Sequence, residues 1–222
     1  MKKKKEYSYF YRNGLVLAFL LMTVLSLTGQ TYNGWKEYNE FRQQYDQPEV
    51  RVIDYLTSGH FLQSTFENWE SEFFQMALFV ILTIFLRQQG SSESKACDDP
   101  IIDPSELKPH VDSPWPVKKG GLWLALYKHS LSIALLVLFL VSFFLHWYGS
   151  WIDYNEQQSY EDKPLEAMLP YLSSSKFWFE SFQNWQSEFL SVFAIIYLSI
   201  YLRQMGSSQS KPVNASHSET GD

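Results

Sequence analysis

Glu72 and Glu188 occupy matching places in two near-copies of one motif, FENWESEF at 66–73 and FQNWQSEF at 182–189. In the first copy Asn68, Ser71, Glu72 and Gln75 fall at i, i+3, i+4 and i+7, so a helix gathers them on one face. The second copy keeps the stripe as Asn184, Ser187, Glu188 and Ser191. Two carboxylates facing each other in a low-dielectric setting cannot both ionise cheaply, and such a pair would hold a proton or share a cation. The plainer use is structural. Asn, Ser and Glu on an apolar helix hydrogen-bond to neighbouring helices, and Glu72 lies one turn from Trp69, within reach of water, Asn68 or an adjoining loop. His60 and Lys176 stand at matching loop positions and offer basic partners. Both readings stay open at this level.

Little else in the chain has the spacing of a reactive site. His60, His110, His129, His146 and His217 are scattered without metal-ligand spacing, and His129 and His146 lie near opposite ends of one apolar segment with no facing histidine for haem. There is no HExxH, no GxSxG and no phosphate-cradling glycine loop. A single cysteine, Cys97, excludes an intramolecular disulfide framework and any multi-cysteine metal site. A formal charge of −6 argues against nucleic acid as a partner. The expectation is a non-enzymatic protein with no cofactor and no metal.

The elements that must position these residues come from a tandem repeat. Shifting the chain by 116 residues aligns Tyr11–Lys95 with Tyr127–Lys211 without gaps, and 16 of 30 positions are identical between 66–95 and 182–211. WKEYNE (35–40) meets WIDYNE (151–156), and YLTS (55–58) meets YLSS (171–174). The chain therefore divides into a first repeat at 1–95, a Pro- and Asp-rich linker at 96–121, a second repeat at 122–211 and a tail at 212–222 expected to be disordered. Within the linker, Trp115 between two prolines reads as extended chain. Gly90 and Gly206, after LRQ in each copy, read as helix C-caps.

Each repeat holds two apolar segments with a polar, aromatic-rich stretch between them. With their aromatic flanks the four segments run 11–32, 66–86, 127–148 and 182–202, and a helix of that length measures about 32 Å, enough to cross a bilayer. A mid-chain segment such as 131–145 cannot be a cleaved leader, which argues the same for its counterpart near the N-terminus. Lys2–Lys5, Arg12, Arg87, Lys118, Lys119, Lys128 and Arg203 all fall on one side, which the positive-inside rule makes cytoplasmic. The expected fold is thus all-α: a polytopic membrane protein with four transmembrane helices, arranged as two tandem two-helix repeats about a parallel pseudo-two-fold axis. Small helical extracytoplasmic caps complete it. Trp35, Tyr38, Arg42 and Tyr45 recur at helical spacing and extend the first helix outward by about three turns. A turn at 46–49 leads to a short helix, with Ser58 or Thr57 capping the helix that follows.

Several stretches carry a further resemblance: YLTSGHF, FENWESEFFQM, FLRQQGSSESK, SPWPVKKGG, LYKHSLS, YLSSSKFWFESFQNWQSEFL and LRQMGSSQSK. Through them nearly the whole chain resembles a bacterial membrane-protein family known only as a domain of unknown function, number 6766. The resemblance implies a bacterial inner-membrane location and no activity. The expected function is that of a structural or interaction membrane protein. It would use the lipid bilayer as its setting, with both termini cytoplasmic, and would meet a second copy or another protein through the outer helical lobe. The alternative is a small proton or cation transporter or channel using Glu72 and Glu188.

Overall fold

The computed structural model describes residues 7–99 and 108–221. Lys2–Lys5 and the linker stretch 100–107 lie outside the described residues, as does Asp222. Among the described residues there are helices and turns and no strand: α1 (Tyr9–Gln44), α2 (Val52–Tyr55), α3 (Gly59–Phe85), α4 (Trp115–Lys119), α5 (Gly121–Lys128), α6 (Ser130–Tyr160), α7 (Met168–Tyr171) and α8 (Ser175–Tyr201). Adding 116 to the bounds of α2 and α3 gives those of α7 and α8, and α1 and α6 end at equivalent residues, Gln44 and Tyr160.

Two helices, α1 and α6, are long and apolar enough to cross a membrane. In the most apolar stretch of α1 no residue is buried, and Leu15, Val16, Phe19 and Leu25 are more than half exposed. A soluble core helix would hide these side chains from water, because each one buried contributes about 1.5–3 kcal/mol. Helices α3 and α8 have the expected length, but Glu67, Glu70 and Glu72 on one and Glu180 and Glu188 on the other dilute their apolar character.

The chain forms two compact units. One runs up to Ser64 and adds Tyr148–Met168; the other comprises Thr65–Trp147 and the chain from Leu169 onward. In the first unit, α1 extends three turns beyond its apolar stretch, as the aromatic spacing predicts, and Ser58 Oγ caps α3 by accepting from Phe61 N at 3.2 Å. Asn39 clasps Val50 both ways, accepting from its N–H at 2.8 Å and donating to its carbonyl at 3.1 Å, while Trp35 Nε1 donates to the same carbonyl at 2.8 Å. Asn155 and Trp151 repeat this clasp on Glu166, with bonds of 2.8, 2.9 and 2.7 Å. These bonds satisfy backbone groups that the turn between helices would otherwise leave unpaired. Near the start of α3, Gly59 faces Gly149 of α6 so closely that a Cβ on Gly149 would lie 2.6 Å from Gln63 N.

In the second unit, Phe74 of α3 packs on Phe139, Trp185 and Phe189, and Tyr171 and Phe177 are fully buried. Arg87 and Arg203 donate to the last carbonyls of α3 and α8, Arg87 Nη1 to Thr83 O at 3.1 Å and Arg203 Nη1 to Ser199 O at 3.2 Å. Cations placed there complement the helix dipole.

The structure departs from the sequence reading at four places. The segment expected at 127–148 is broken at His129, which ends α5 before α6 begins at Ser130. Trp115 lies in a short helix, not in extended chain, because Pro116 occupies an early helical position where its missing N–H costs nothing. Gly90 and Gly206, at φ 87° and 85°, serve turns several residues beyond the helix ends, where a left-handed backbone favours glycine. Pro212–Gly221 is fixed, not disordered: Lys211 Nζ donates to the carbonyls of Ser216, His217 and Glu219, and Gly221 N to Ser91 O. A buried ammonium with three acceptors holds its segment firmly.

Candidate functional site

Helix α6 is apolar around most of its circumference, yet Ser142, His146, Ser150 and Asp153 are buried on it at helical spacing. His146 is fully buried, and a buried imidazole needs partners for both nitrogens. Nδ1 lies 2.6 Å from Glu70 Oε2 on α3, which is itself fully buried. The other oxygen, Glu70 Oε1, accepts from Trp185 Nε1 of α8 at 3.0 Å. A carboxylate at Nδ1 places a ring hydrogen there and turns Nε2 the opposite way.

Two more carboxylates stand near the ring. Glu180 Oε2 of α8 is 3.5 Å away, an ion-pair contact when the ring is protonated, and the buried Nε2 makes no directed hydrogen bond. Glu67, one turn before Glu70 on α3, contributes an oxygen that lies with Nε2 and a Glu180 oxygen inside a group no more than 4.8 Å across. Asn184 Nδ2 donates to the backbone carbonyl of Glu180 at 3.2 Å, and Lys176 Nζ stands 4.0 Å from Glu180 Oε1. Phe177 covers the imidazole at 4.8 Å between ring centres, and Trp178 packs on Phe177. Aromatic walls lower the local dielectric and strengthen every charge interaction inside. Three carboxylates converge here on one imidazole, and among the described residues the ammonium of Lys176 stands beside them.

The residues singled out from sequence fall partly inside this cluster. Asn184 and Lys176 join it. Glu72 is exposed and Glu188 half-buried; the two feel each other's charge but belong to a different place on their helices. Ser71 is buried and Ser187 exposed, and each donates one turn back, to Asn68 O and Asn184 O at 2.8 Å. His60 pairs with Tyr55, whose hydroxyl is 3.0 Å from His60 Nδ1.

Glu67, Glu70, His146 and Glu180 were missed because their spacing along the chain carries no motif. The repeat does hold a signal. Their counterparts 116 residues away are Gln183, Gln186, Gln30 and Ser64, all neutral. Within the first unit, Gln30 Nε2 donates to Ser64 Oγ at 3.3 Å, at the positions where His146 and Glu180 meet in the other copy.

A second polar cluster lies in the first unit. Glu156 accepts from Arg42 Nη1 at 2.8 Å, from Tyr38 at 2.7 Å and from Tyr160. Burial, and then the Glu156 carboxylate, raise the Tyr160 phenol to about 12 and raise Tyr38 as well. This cluster is fully paired and carries no open position.

One protein-family model, described as a domain of unknown function (DUF6766), matches residues 6–222. No curated protein and no solved structure matches the chain.

Proposed function

The chain belongs to the DUF6766 family, whose description names no activity, and from that premise we propose a multi-pass integral membrane protein that holds a cation among Glu67, Glu70, His146 and Glu180. The observation that carries the binding reading is the gathering of the buried His146 with Glu67 and Glu180, their donor atoms within 4.8 Å of one another and His146 Nε2 without a directed hydrogen bond. The reading assigns binding, with no turnover.

The membrane reading is supported by the exposed apolar length of α1 and by the composition of α6. It extends to α3 and α8 through the 116-residue offset, giving four crossings by a doubled hairpin. Lys119 lies over the rings of Trp115 and Trp123, at 4.7 and 4.9 Å, an arrangement suited to a membrane–water boundary. Together with Lys118 and Lys128 it favours a cytoplasmic face for the linker and both termini, and with the family resemblance this gives a bacterial inner-membrane protein.

Trp185 serves as a built-in reporter, since its indole bonds the same Glu70 that orients His146. Titration of the detergent-solubilised chain with Tb3+ is expected to give Trp-sensitised luminescence that saturates and that Glu67→Gln with Glu180→Gln abolishes. Luminescence unchanged in that double variant, with its helix content intact, would remove the cluster from the function. A second reading, cation passage along Glu72 and Glu188, is favoured by the charge coupling between them. It predicts instead that only Glu72→Gln with Glu188→Gln alters ion flux in liposomes.

A further inference from the structure

We infer that the cation is a divalent first-row transition metal of the Zn2+ class, ligated by His146 Nε2, Glu67 and Glu180, with Glu70 as the positioning residue behind the histidine. The inference rests on the cation reading above and narrows it to a chemical class.

Ligand identity gives the first argument. Hard cations such as Ca2+ and Mg2+ take oxygen donors and leave imidazole aside, whereas Zn2+ and its neighbours accept an imidazole nitrogen together with carboxylate oxygens. The donor buried and left without a hydrogen bond is the nitrogen. A site evolved for a hard cation would have no use for it.

The second argument is the carboxylate on the far side of the ring. Glu70 Oε2 at 2.6 Å from Nδ1 places a ring hydrogen there and so makes Nε2 the ligand atom when a metal displaces its proton, and Trp185 Nε1 at 3.0 Å locks the carboxylate. Metal-bound histidines use this carboxylate–imidazole relay to hold the ring and raise its basicity. Neither arm of the relay is needed for a histidine that only packs.

Charge gives the third. A divalent ion bound at Nε2 takes the place of the proton that the ring would otherwise carry toward Glu180, and brings one more positive charge to the three carboxylates. The three donor atoms now lie within 4.8 Å of one another, and metal–ligand bonds of about 2 Å draw such a group together. Three protein ligands leave a fourth position for water or for a transferred ligand, the arrangement of an exchangeable site.

The test uses the full chain in detergent, freed of metal by a chelator and dialysed. Calorimetric titration with Zn2+ is expected to show one ion per chain, with at least tenfold weaker binding of Ca2+ and none of Mg2+. Co2+ should give visible absorption of a four-coordinate centre carrying nitrogen and oxygen ligands. Glu67→Gln and His146→Gln should each weaken Zn2+ binding about 100-fold or more, and Glu70→Gln by about 10–100-fold with the Co2+ spectrum shifted but retained. Asp54→Asn, an exposed surface change, should bind as the parent does. Wild-type titration needs no variant to fold, so the inference is decided even if buried substitutions unfold the chain. Saturable Tb3+ or Ca2+ binding without Zn2+ binding overturns the transition-metal inference and leaves the cation reading standing. If neither class of ion binds, both fall together.

Discussion

Alanine in place of glycine should act with opposite sign at two helical positions. At Gly149 on α6 an added Cβ would lie 2.6 Å from Gln63 N, 2.6 Å from Leu62 Cβ and 2.9 Å from Leu62 C. Two of those atoms are backbone, so no rotamer relieves the contact, and the helices must part by most of an ångström. The facing Gly59 would meet Gly149 O and Ile152 Cγ2 at 2.8 Å, so neither side offers slack. Overpacking of this kind costs about 1–3 kcal/mol. Alanine returns about 0.5–1 kcal/mol through lower chain entropy in a helix. The net expectation for Gly149→Ala is a loss of about 1–2 kcal/mol. Gly14 on α1 has nothing within 4 Å of its added Cβ, and there the helical gain stands alone, about 0.5–1 kcal/mol of stabilisation. Thermal unfolding of both variants in one detergent, followed by circular dichroism, compares them directly. A neutral or stabilising Gly149→Ala would refute the close approach of α3 and α6. Equal signs at the two sites would refute the reasoning that separates them.

Glu156→Gln should destabilise by about 2 kcal/mol, toward the lower end of the cost of breaking a buried pair, because Arg42 and Glu156 keep 14% and 19% side-chain exposure and Arg42 retains Pro48 O and the Tyr160 hydroxyl; chemical unfolding measures it. Tyr160 and Tyr55 titrate near 12 in the folded chain, against about 10 when unfolded, so stability should be level below about pH 10 and fall as pH rises through 12. Tyr160→Phe should flatten part of that alkaline decline in the melting temperature. Cys97, the single and exposed cysteine, should react with an impermeant maleimide in inverted membrane vesicles and stay unlabelled in intact cells; labelling from outside would reverse the assigned topology.

The legible parts of the fold were those fixed by local periodicity. The outward extension of α1 was readable from Trp35, Tyr38, Arg42 and Tyr45, and the start of α3 from Ser58, because both depend on neighbours within a few turns. The linker was harder. Pro116 beside Trp115 is compatible with extended chain and with a helix start, and only the next turn of backbone decides. The tail was misread for a related reason, since composition cannot reveal that Lys211 will find three carbonyls. Least legible was the cluster around His146. Its members come from three helices, and Glu70 and His146 are 76 residues apart. Glu72 stands out over Glu67 and Glu70 on a single helix because it shares a face with Asn68, Ser71 and Gln75, whereas Glu67 and Glu70 gain their meaning from α6 and α8. Asking where the two copies differ in ionisable groups would have named all four residues.

A homodimer of single hairpins would be bound by its own symmetry: any residue altered for binding would be altered twice, and two equivalent places would carry the same charge. Joining the hairpins in one polypeptide lifts that restriction. Gln30 and Ser64 can stay neutral while His146 and Glu180 become ionisable, so the chain carries this group of buried charges once instead of twice. Fusion thus permits an asymmetry that no pair of identical halves could acquire.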